Sequence, residues 1–339
     1  MSTSYPEAQK LQELVADAKH IVIVQADNPD GDSLASSLAL EEILGEQGKQ
    51  IDLYCGVDIP KHLQHLEGAD RVSRELPKNF NISIIVDTSS ITLLEQLGNT
   101  NQLMWLKSKP CVILDHHDVE TNIPFANVII NQPVVATGEL IYELCEQLGW
   151  KRNSNANRMI AVAILSDSLG LASDSTSARS IHIIAELVEQ GVSLADIENA
   201  RRLTMRKAPD LVHYKGQLLQ RIEYFSDNRV ATVTIPWDEI ETYSHAYNPS
   251  MLVIDDMRQT EGTMLAIAFK TYKDGKITAK IRTNYGTDIA GKLAEHFGGG
   301  GHAYASGFKI QDGRKYDDVK CEAIKFATQL LDNLDTTSD

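Results

Sequence analysis

The sequence predicts an α/β protein: a parallel sheet with flanking helices, followed by a smaller mixed α+β domain. Three observations point there. Through the first half, short apolar runs alternate with helical stretches of ten or more residues, the pattern of strands joined by crossover helices. Those runs are continuously apolar, as in strands buried on both faces. From Gly216 the texture changes to β-rich runs separated by glycine turns. The length of 339 residues and the 42% hydrophobic content suit two cores, because single cores stop growing near ~250–300 residues.

The elements follow in order. Residues 7–19 have helical periodicity, and His20-Ile21-Val22-Ile23-Val24 is a strand. Asp27-Asn28-Pro29-Asp30-Gly31-Asp32 is a turn, since these residue types favour turns. A helix is predicted over 33–45. Strands are predicted at 51–55, 82–86, 112–114 and 126–130, a short helix or turn at 62–66, and helices at 91–97, 137–148 and 155–165. Residues 176–213 look wholly helical, carry the basic pairs Arg201-Arg202 and Arg206-Lys207, and are interrupted by Pro209. Residues 230–235, 251–255, 264–272 and 277–282 are predicted strands, with turns at Gly262 and Asp274-Gly275. A helix over 288–297 precedes four glycines and His302. A turn region from Lys309 and a closing helix over 317–334 complete the chain. The predicted boundaries are 1–190 for the first domain, 191–220 for a helical linker and 221–335 for the second domain.

Composition narrows the function. A net charge of -15 argues against holding long duplex nucleic acid by bulk electrostatics. It leaves room for a small anion held by a local cluster. No run of about eighteen apolar residues occurs, so no membrane helix is expected. The segment Met1-Ser2-Thr3-Ser4-Tyr5-Pro6 lacks the basic and apolar regions of a signal peptide. Cys55, Cys111, Cys145 and Cys321 form no CxxC pair. Cys111 and Cys145 sit in apolar settings as buried thiols. A reduced, cytoplasmic protein without a membrane partner is expected.

Four apolar runs end in acidic or imidazole groups. Asp30 and Asp32 flank Gly31 at a strand-to-helix turn and can point into one site, although Asp-Gly is also ordinary turn chemistry and Asp32 could simply cap the helix. Asp87 follows the strand at 82–86; it is either a helix cap or a carboxylate able to join two cations about 3.5–4 Å apart. Asp115-His116-His117 follows Cys111-Val112-Ile113-Leu114. One imidazole there suits metal ligation, the other a contact to a phosphoryl oxygen, with Asp115 fixing a ring tautomer. Asp167 leaves the apolar stretch 160–165, as a ligand or as a cap. In a parallel sheet ligands bind at the carboxyl ends of strands, and Asp30, Asp87 and Asp115 occupy such ends. Carboxylates gathered there repel unless cations neutralise them. Mixed oxygen and imidazole donors suit Mn²⁺, with Mg²⁺, Zn²⁺ or Co²⁺ as alternatives. No Walker-type lysine loop, nucleophile elbow or cysteine cluster offers a rival chemistry.

These motifs, in this order, resemble the DHH phosphoesterase family over most of the chain. The second half is similar to its DHHA1 domain through Lys280-Ile281-Arg282-Thr283 and the run from Gly298 through Gly301-His302-Ala303-Tyr304 to Phe308. The resemblance implies two Mn²⁺ ions: one on Asp32, Asp87, His116 and Asp167, the other on Asp30 and Asp87. It places His117 on the scissile phosphate, and Arg282 and His302 on substrate phosphate or the 3′ end. Backbone N–H groups of Gly299, Gly300 and Gly301 would approach an anion. One position departs: the family's histidine four residues before Asp30 is here Ala26, flanked by Gln25 and Asp27. Asp27 is a substitute ligand only if strand alternation allows it.

The implied activity is hydrolysis of short oligoribonucleotides to nucleoside 5′-monophosphates, as in the nanoRNase members, some of which also dephosphorylate 3′-phosphoadenosine 5′-phosphate. Selectivity for short chains would come from a second-domain pocket facing the metals. Cleavage of cyclic dinucleotides, or of linear ones such as pApA and pGpG, is the alternative enzyme. A nucleotide-binding protein with an impaired metal site is the alternative non-enzyme. Pyrophosphatase and exopolyphosphatase activities fit the second domain less well. Partners are limited to short RNA or small nucleotides; pairing into a homodimer stays open.

Overall fold

The computed structural model describes residues 4–284 and 286–337. Met1, Ser2 and Thr3 of the N-terminal segment lie outside them. The chain forms two compact units that meet in sequence at Arg206 and Lys207.

The N-terminal unit runs α1 (Ala8–Asp17), β1 (His20–Val24), α2 (Gly31–Gly45), β2 (Gln50–Tyr54), β3 (Val72–Ser73), β4 (Ile82–Val86), α3 (Glu95–Asn99), α4 (Leu103–Lys107), β5 (Cys111–Asp115), β6 (Val128–Asn131), α5 (Thr137–Leu148), α6 (Ser154–Asp167), α7 (Ala178–Glu189) and α8 (Leu194–Thr204). Its six strands are all parallel, in the order β3-β2-β1-β4-β5-β6. Strand alternation sorts the core. Ile21, Ile23, Ile84, Val86, Val112 and Leu114 pack with α1, α2, α5 and α6 on one face. Val22, Val24, Ile85, Cys111 and Ile113 pack with Leu94, Leu97 and Leu106 on the other. Every residue of β4 and β5 is buried. Full burial of an Ile, Val or Leu side chain is worth about 1.5–3 kcal/mol, so the strands that end at Asp87 and Asp115 are rigid supports. Strand order reverses between β1 and β4, the crevice where doubly wound sheets bind ligands.

The C-terminal unit runs α9 (Pro209–Gln220), β7 (Glu223–Phe225), β8 (Val230–Ile235), α10 (Trp237–Tyr243), α11 (Pro249–Arg258), β9 (Leu265–Thr271), β10 (Ile277–Thr283), α12 (Ala290–His296), β11 (Gly300–Gly301), β12 (Ala305–Ile310) and α13 (Tyr316–Thr337). Its sheet is mixed, in the order β11-β12-β10-β9-β8-β7. Only β8 and β9 pair parallel. Two cores flank it, one with α12 and α13, the other with α9, α10 and α11.

Several expectations change. Residues 251–255 form the middle of α11, not a strand. Their apolar run is too short for periodicity to decide, but Asn248 caps the helix by accepting Ser250 N–H and Pro249 occupies its first turn. Residues 176–213 break into three helices. Gly191, at φ +98°, ends one, and the Ser193 side chain caps the next. Pro209 starts α9 instead of interrupting it. The turn region begins two residues later than Lys309, because Lys309 and Ile310 close β12, which begins at Ala305. Cys55, Cys111 and Cys145 are buried free thiols, and Cys321 is exposed. No helix among the described residues is long and apolar enough to cross a membrane.

Candidate metal centre

His116 is the hub. Its Nδ1 lies 3.1 Å from the carbonyl of Val134, which accepts the ring N–H and leaves Nε2 for ligation. Nε2 lies 3.3 Å from Asp167 Oδ2, 3.4 Å from Asp87 Oδ1 and 3.7 Å from Asp32 Oδ2. It is buried, yet makes no aligned hydrogen bond to any of them. Two ligands of one ion at about 2.0–2.2 Å are at most about 4.4 Å apart. These spacings therefore fit a shared divalent cation better than a hydrogen-bonded cluster. Asp32, His116 and Asp167 form one candidate ligand group, and Asp87, His116 and His117 a second.

Each carboxylate arrives by a different route. Asp32 sits in the first turn of α2 and is fully buried. Its Oδ2 accepts Thr137 N–H at 2.6 Å; its Oδ1 accepts Gly138 N–H at 3.1 Å and the Ser36 hydroxyl at 2.8 Å. Helix α5 has Ala136 at its N-cap and no side-chain cap of its own; Asp32 supplies the acceptor that its first N–H groups need. Asp87 ends β4 with φ +59°, a left-handed conformation that Asp tolerates better than most residues. Its Oδ1 accepts the Thr137 hydroxyl at 3.0 Å. Asp167 is the last residue of α6. It reaches the cluster because Gly31 lets α2 approach: a Cβ on Gly31 would lie 2.2 Å from Ser166 Oγ.

Charge is concentrated here. Burial raises the Asp32 carboxyl well above the ordinary range, and neighbouring Asp87 raises it further. Burial raises Asp87 as well, against the opposing pull of His116. Burial alone would lower the His116 imidazolium, but contacts with Asp167 and Asp87 push it up to about 11. Without a metal, the imidazolium is the cation that the carboxylates gather around. A divalent ion replaces that proton with a larger charge.

Asp115 plays a part distinct from its neighbours. Its Oδ1 lies 2.7 Å from His117 Nδ1 and accepts the backbone N–H of His116 and of His117. It therefore orients His117, while the Val134 carbonyl orients His116. The hydrogen bond to Asp115 raises the His117 imidazolium. The His117 side chain is 51% exposed, against 11% for His116, so His117 is the imidazole open to an incoming oxygen.

The first motif divides its labour. Asp30, not Asp32, caps α2: its Oδ1 accepts Ser33 N–H, and Ser33 Oγ accepts Asp30 N–H. Asp30 is exposed and belongs to neither ligand group found among the described residues. Ala26 is buried and has no donor atom. Asp27 belongs to neither ligand group found among the described residues, and its Oδ2 accepts Gln96 N–H at 2.8 Å, at the start of α3. Thr137, Ser36 and Val134 were missed in the sequence. Ala136 at a helix start was the usable signal, since such a helix needs an acceptor from elsewhere.

In the C-terminal unit, Arg282 of β10 is opposite Ala305 of β12, and Thr283 N–H donates to the Tyr304 carbonyl. This puts Arg282 beside the segment carrying His302 and Tyr304, both exposed. The glycine run is not a free loop. Gly300 and Gly301 pair with Gly307 and Ser306, and Cβ atoms on Gly299 or Gly301 would lie within 2.3–2.6 Å of β12 backbone. Two of these three glycines thus have a packing reason independent of any ligand.

The DHH family N-terminal domain model matches residues 20–166, and the DHHA1 domain model matches residues 240–333. This chain belongs to the DHH/DHHA1 family of phosphoesterases. It is 25% identical over 286 residues to the bifunctional oligoribonuclease and PAP phosphatase NrnA of Thermus thermophilus, covering 84% of this chain and 82% of that one. Its identity to the Bacillus subtilis protein of the same name is 24% over 303 residues, covering 88% and 92%. Among solved structures, an exopolyphosphatase-related protein from Bacteroides fragilis superposes with a TM-score of 0.79 at 19% identity, over 96% of this chain and 97% of that one. That likeness extends the shared fold through both units.

Proposed function

We propose that this DHH/DHHA1 phosphoesterase hydrolyses short oligoribonucleotides to nucleoside 5′-monophosphates, with 3′-phosphoadenosine 5′-phosphate as a second substrate. The observation that carries this reading is His116 Nε2 held within 3.3–3.7 Å of Asp32, Asp87 and Asp167. The relatives named for oligoribonuclease and PAP phosphatase activity support the choice of substrate.

Asp32, Asp87, His116 and Asp167 would hold a divalent cation, and their mixed donor set suits Mn²⁺. A cation held there would supply Lewis-acid polarisation of a phosphoryl oxygen and a lowered pKa for water. His117, oriented by Asp115, whose hydrogen bond raises its imidazolium, donates to a non-bridging oxygen of the scissile phosphate. Asp30, which caps α2 through Oδ1, would add an oxygen donor for a second ion. Arg282 and His302 bind the substrate's phosphate and terminal nucleoside, and the exposed Tyr304 ring offers a face for a base.

The test is a substrate panel with Mn²⁺: di- to pentaribonucleotides, phosphoadenosine phosphate, cyclic and linear dinucleotides, and polyphosphate. Release of mononucleotides from short RNA is expected. Turnover of polyphosphate alone, or of nothing in the panel, would overturn the assignment.

A further inference from the structure

The two candidate ligand groups share His116. A neutral imidazole ligates through one nitrogen, because the other carries the proton. His116 Nδ1–H faces the Val134 carbonyl, which only accepts, so Nε2 is its one ligating atom. Nε2 lies 3.3 Å from Asp167, 3.7 Å from Asp32 and 3.4 Å from Asp87. An ion seated among these four residues takes that nitrogen. The other group is then left with Asp87 and His117. His117 Nδ1 is 2.7 Å from Asp115 Oδ1, an atom that also accepts two backbone N–H groups. Asp115 therefore keeps a proton on His117 Nδ1 and takes that atom out of ligation. The first motif does not make up the difference. Asp30 is near enough for its charge to raise the Asp87 carboxyl, but its Oδ1 accepts Ser33 N–H at 3.0 Å as the cap of α2. Ala26 offers no side-chain donor, and Asp27 belongs to neither group. The second ion that the family resemblance implies is left with the carboxylates of Asp30 and Asp87 and no imidazole committed to it. Hard cations held by one or two carboxylates draw their remaining ligands from water and substrate phosphate.

We propose that the free protein holds one divalent cation, on Asp32, Asp87, His116 and Asp167, and that a second binds only together with a phosphoryl anion whose oxygens complete its ligands. The first ion has three carboxylates and an imidazole. The second has Asp30 and a share of Asp87. Two dications about 3.5–4 Å apart repel each other, and a bridging anion offsets that repulsion. The inference rests on the cation-binding reading of the cluster proposed above, but not on the choice of RNA as substrate.

The test counts ions without turnover. Metal-stripped full chain is titrated with Mn²⁺ and followed by electron paramagnetic resonance, which separates free ion, isolated bound ion and a spin-coupled pair. Wild-type protein should take up one equivalent tightly and show an isolated ion. A second equivalent should bind more weakly by about 100-fold or more, since loss of even an outer partner of a metal ligand costs about 10–100-fold. Adenosine 5′-monophosphate, with its own Mn²⁺ binding measured separately, should bring in the second equivalent and the spectrum of a coupled pair. Ala26→His should bind the pair without the nucleotide. Because Ala26 is buried, circular dichroism checks that this variant folds, and the wild-type counts judge the proposal without it. Two tight equivalents in wild type without nucleotide would overturn the inference, and so would a single equivalent at saturating nucleotide. A folded Ala26→His that counts like wild type would overturn the part given to the missing imidazole. If no RNA is turned over while the counts come out as expected, the substrate proposed above fails and this inference stands. Two tight equivalents with RNA turnover would leave the function standing and end the inference.

Discussion

Thr137→Val separates positioning from ligation at the acidic cluster. The Thr137 hydroxyl donates to Asp87 Oδ1 at 3.0 Å between buried residues, and its backbone N–H donates to Asp32 Oδ2 at 2.6 Å. Valine keeps the side-chain shape and the N–H, so one hydrogen bond is lost. A bond to a charged acceptor is worth about 1.5–3 kcal/mol. At about 2–4 °C per kcal/mol for a unit of this size, melting should fall by about 3–12 °C. Asp87 then loses the donor that orients it, and partners of this kind typically cost about 10–100-fold in metal affinity. Calorimetric titration with Mn²⁺ reads the affinity directly, without turnover. Thr137→Ser retains the hydroxyl and should restore most of it. Wild-type Mn²⁺ affinity in Thr137→Val, or a Thr137→Ser variant as impaired as Thr137→Val, would refute the reasoning.

Three further outcomes are expected. Asp87→Asn should remove most Mn²⁺ binding at the cluster while the fold persists by circular dichroism; unaltered binding would exclude Asp87 as a ligand. In metal-free protein, His116 is raised from 6.5 to about 11, so its stabilising proton is fully present below about 6.5 and is lost as pH rises towards 11. Asp32 and Asp87, also raised, act in the same direction. The metal-free melting temperature should therefore fall from neutral to alkaline pH while Mn²⁺ affinity rises; a flat or rising metal-free profile contradicts the charge arrangement. Gly31→Ala puts a Cβ 2.2 Å from Ser166 Oγ and 2.7 Å from its Cβ. Overpacking of this kind costs about 1–3 kcal/mol and moves Asp32 from Asp167, so both stability and metal affinity should drop together; wild-type values for both would show that the approach is not constrained.

The acidic strand ends were legible because they are local. A short apolar run and the polar residue that stops it are neighbours in the chain, and parallel strands deliver their carboxyl ends to one edge. Asp87 and Asp115 stand at the ends of neighbouring parallel strands, and α2, β4 and β5 lie where their periodicity put them; the grouping of Asp32, Asp87, His116 and Asp167 came from the family resemblance, not from spacing. The helix over Pro249–Arg258 was not legible, because Met251-Leu252-Val253-Ile254 suits either conformation and only packing chose between them.

By itself, the sequence determined the class of fold, the alternation of elements and the residues able to ligate a metal, since each depends on local pattern and residue chemistry. Only the tertiary structure decided what each of those residues touches. It turned Asp27 towards Gln96, joined Asp32 and Asp87 through Thr137, gave His116 the Val134 carbonyl, and brought Lys270 to Asn248. Asp32 and Asp87 meet their partner across 105 and 50 residues of chain. Hydrogen bonds and charge pairs over such separations are set by how packed elements approach, which no local pattern encodes.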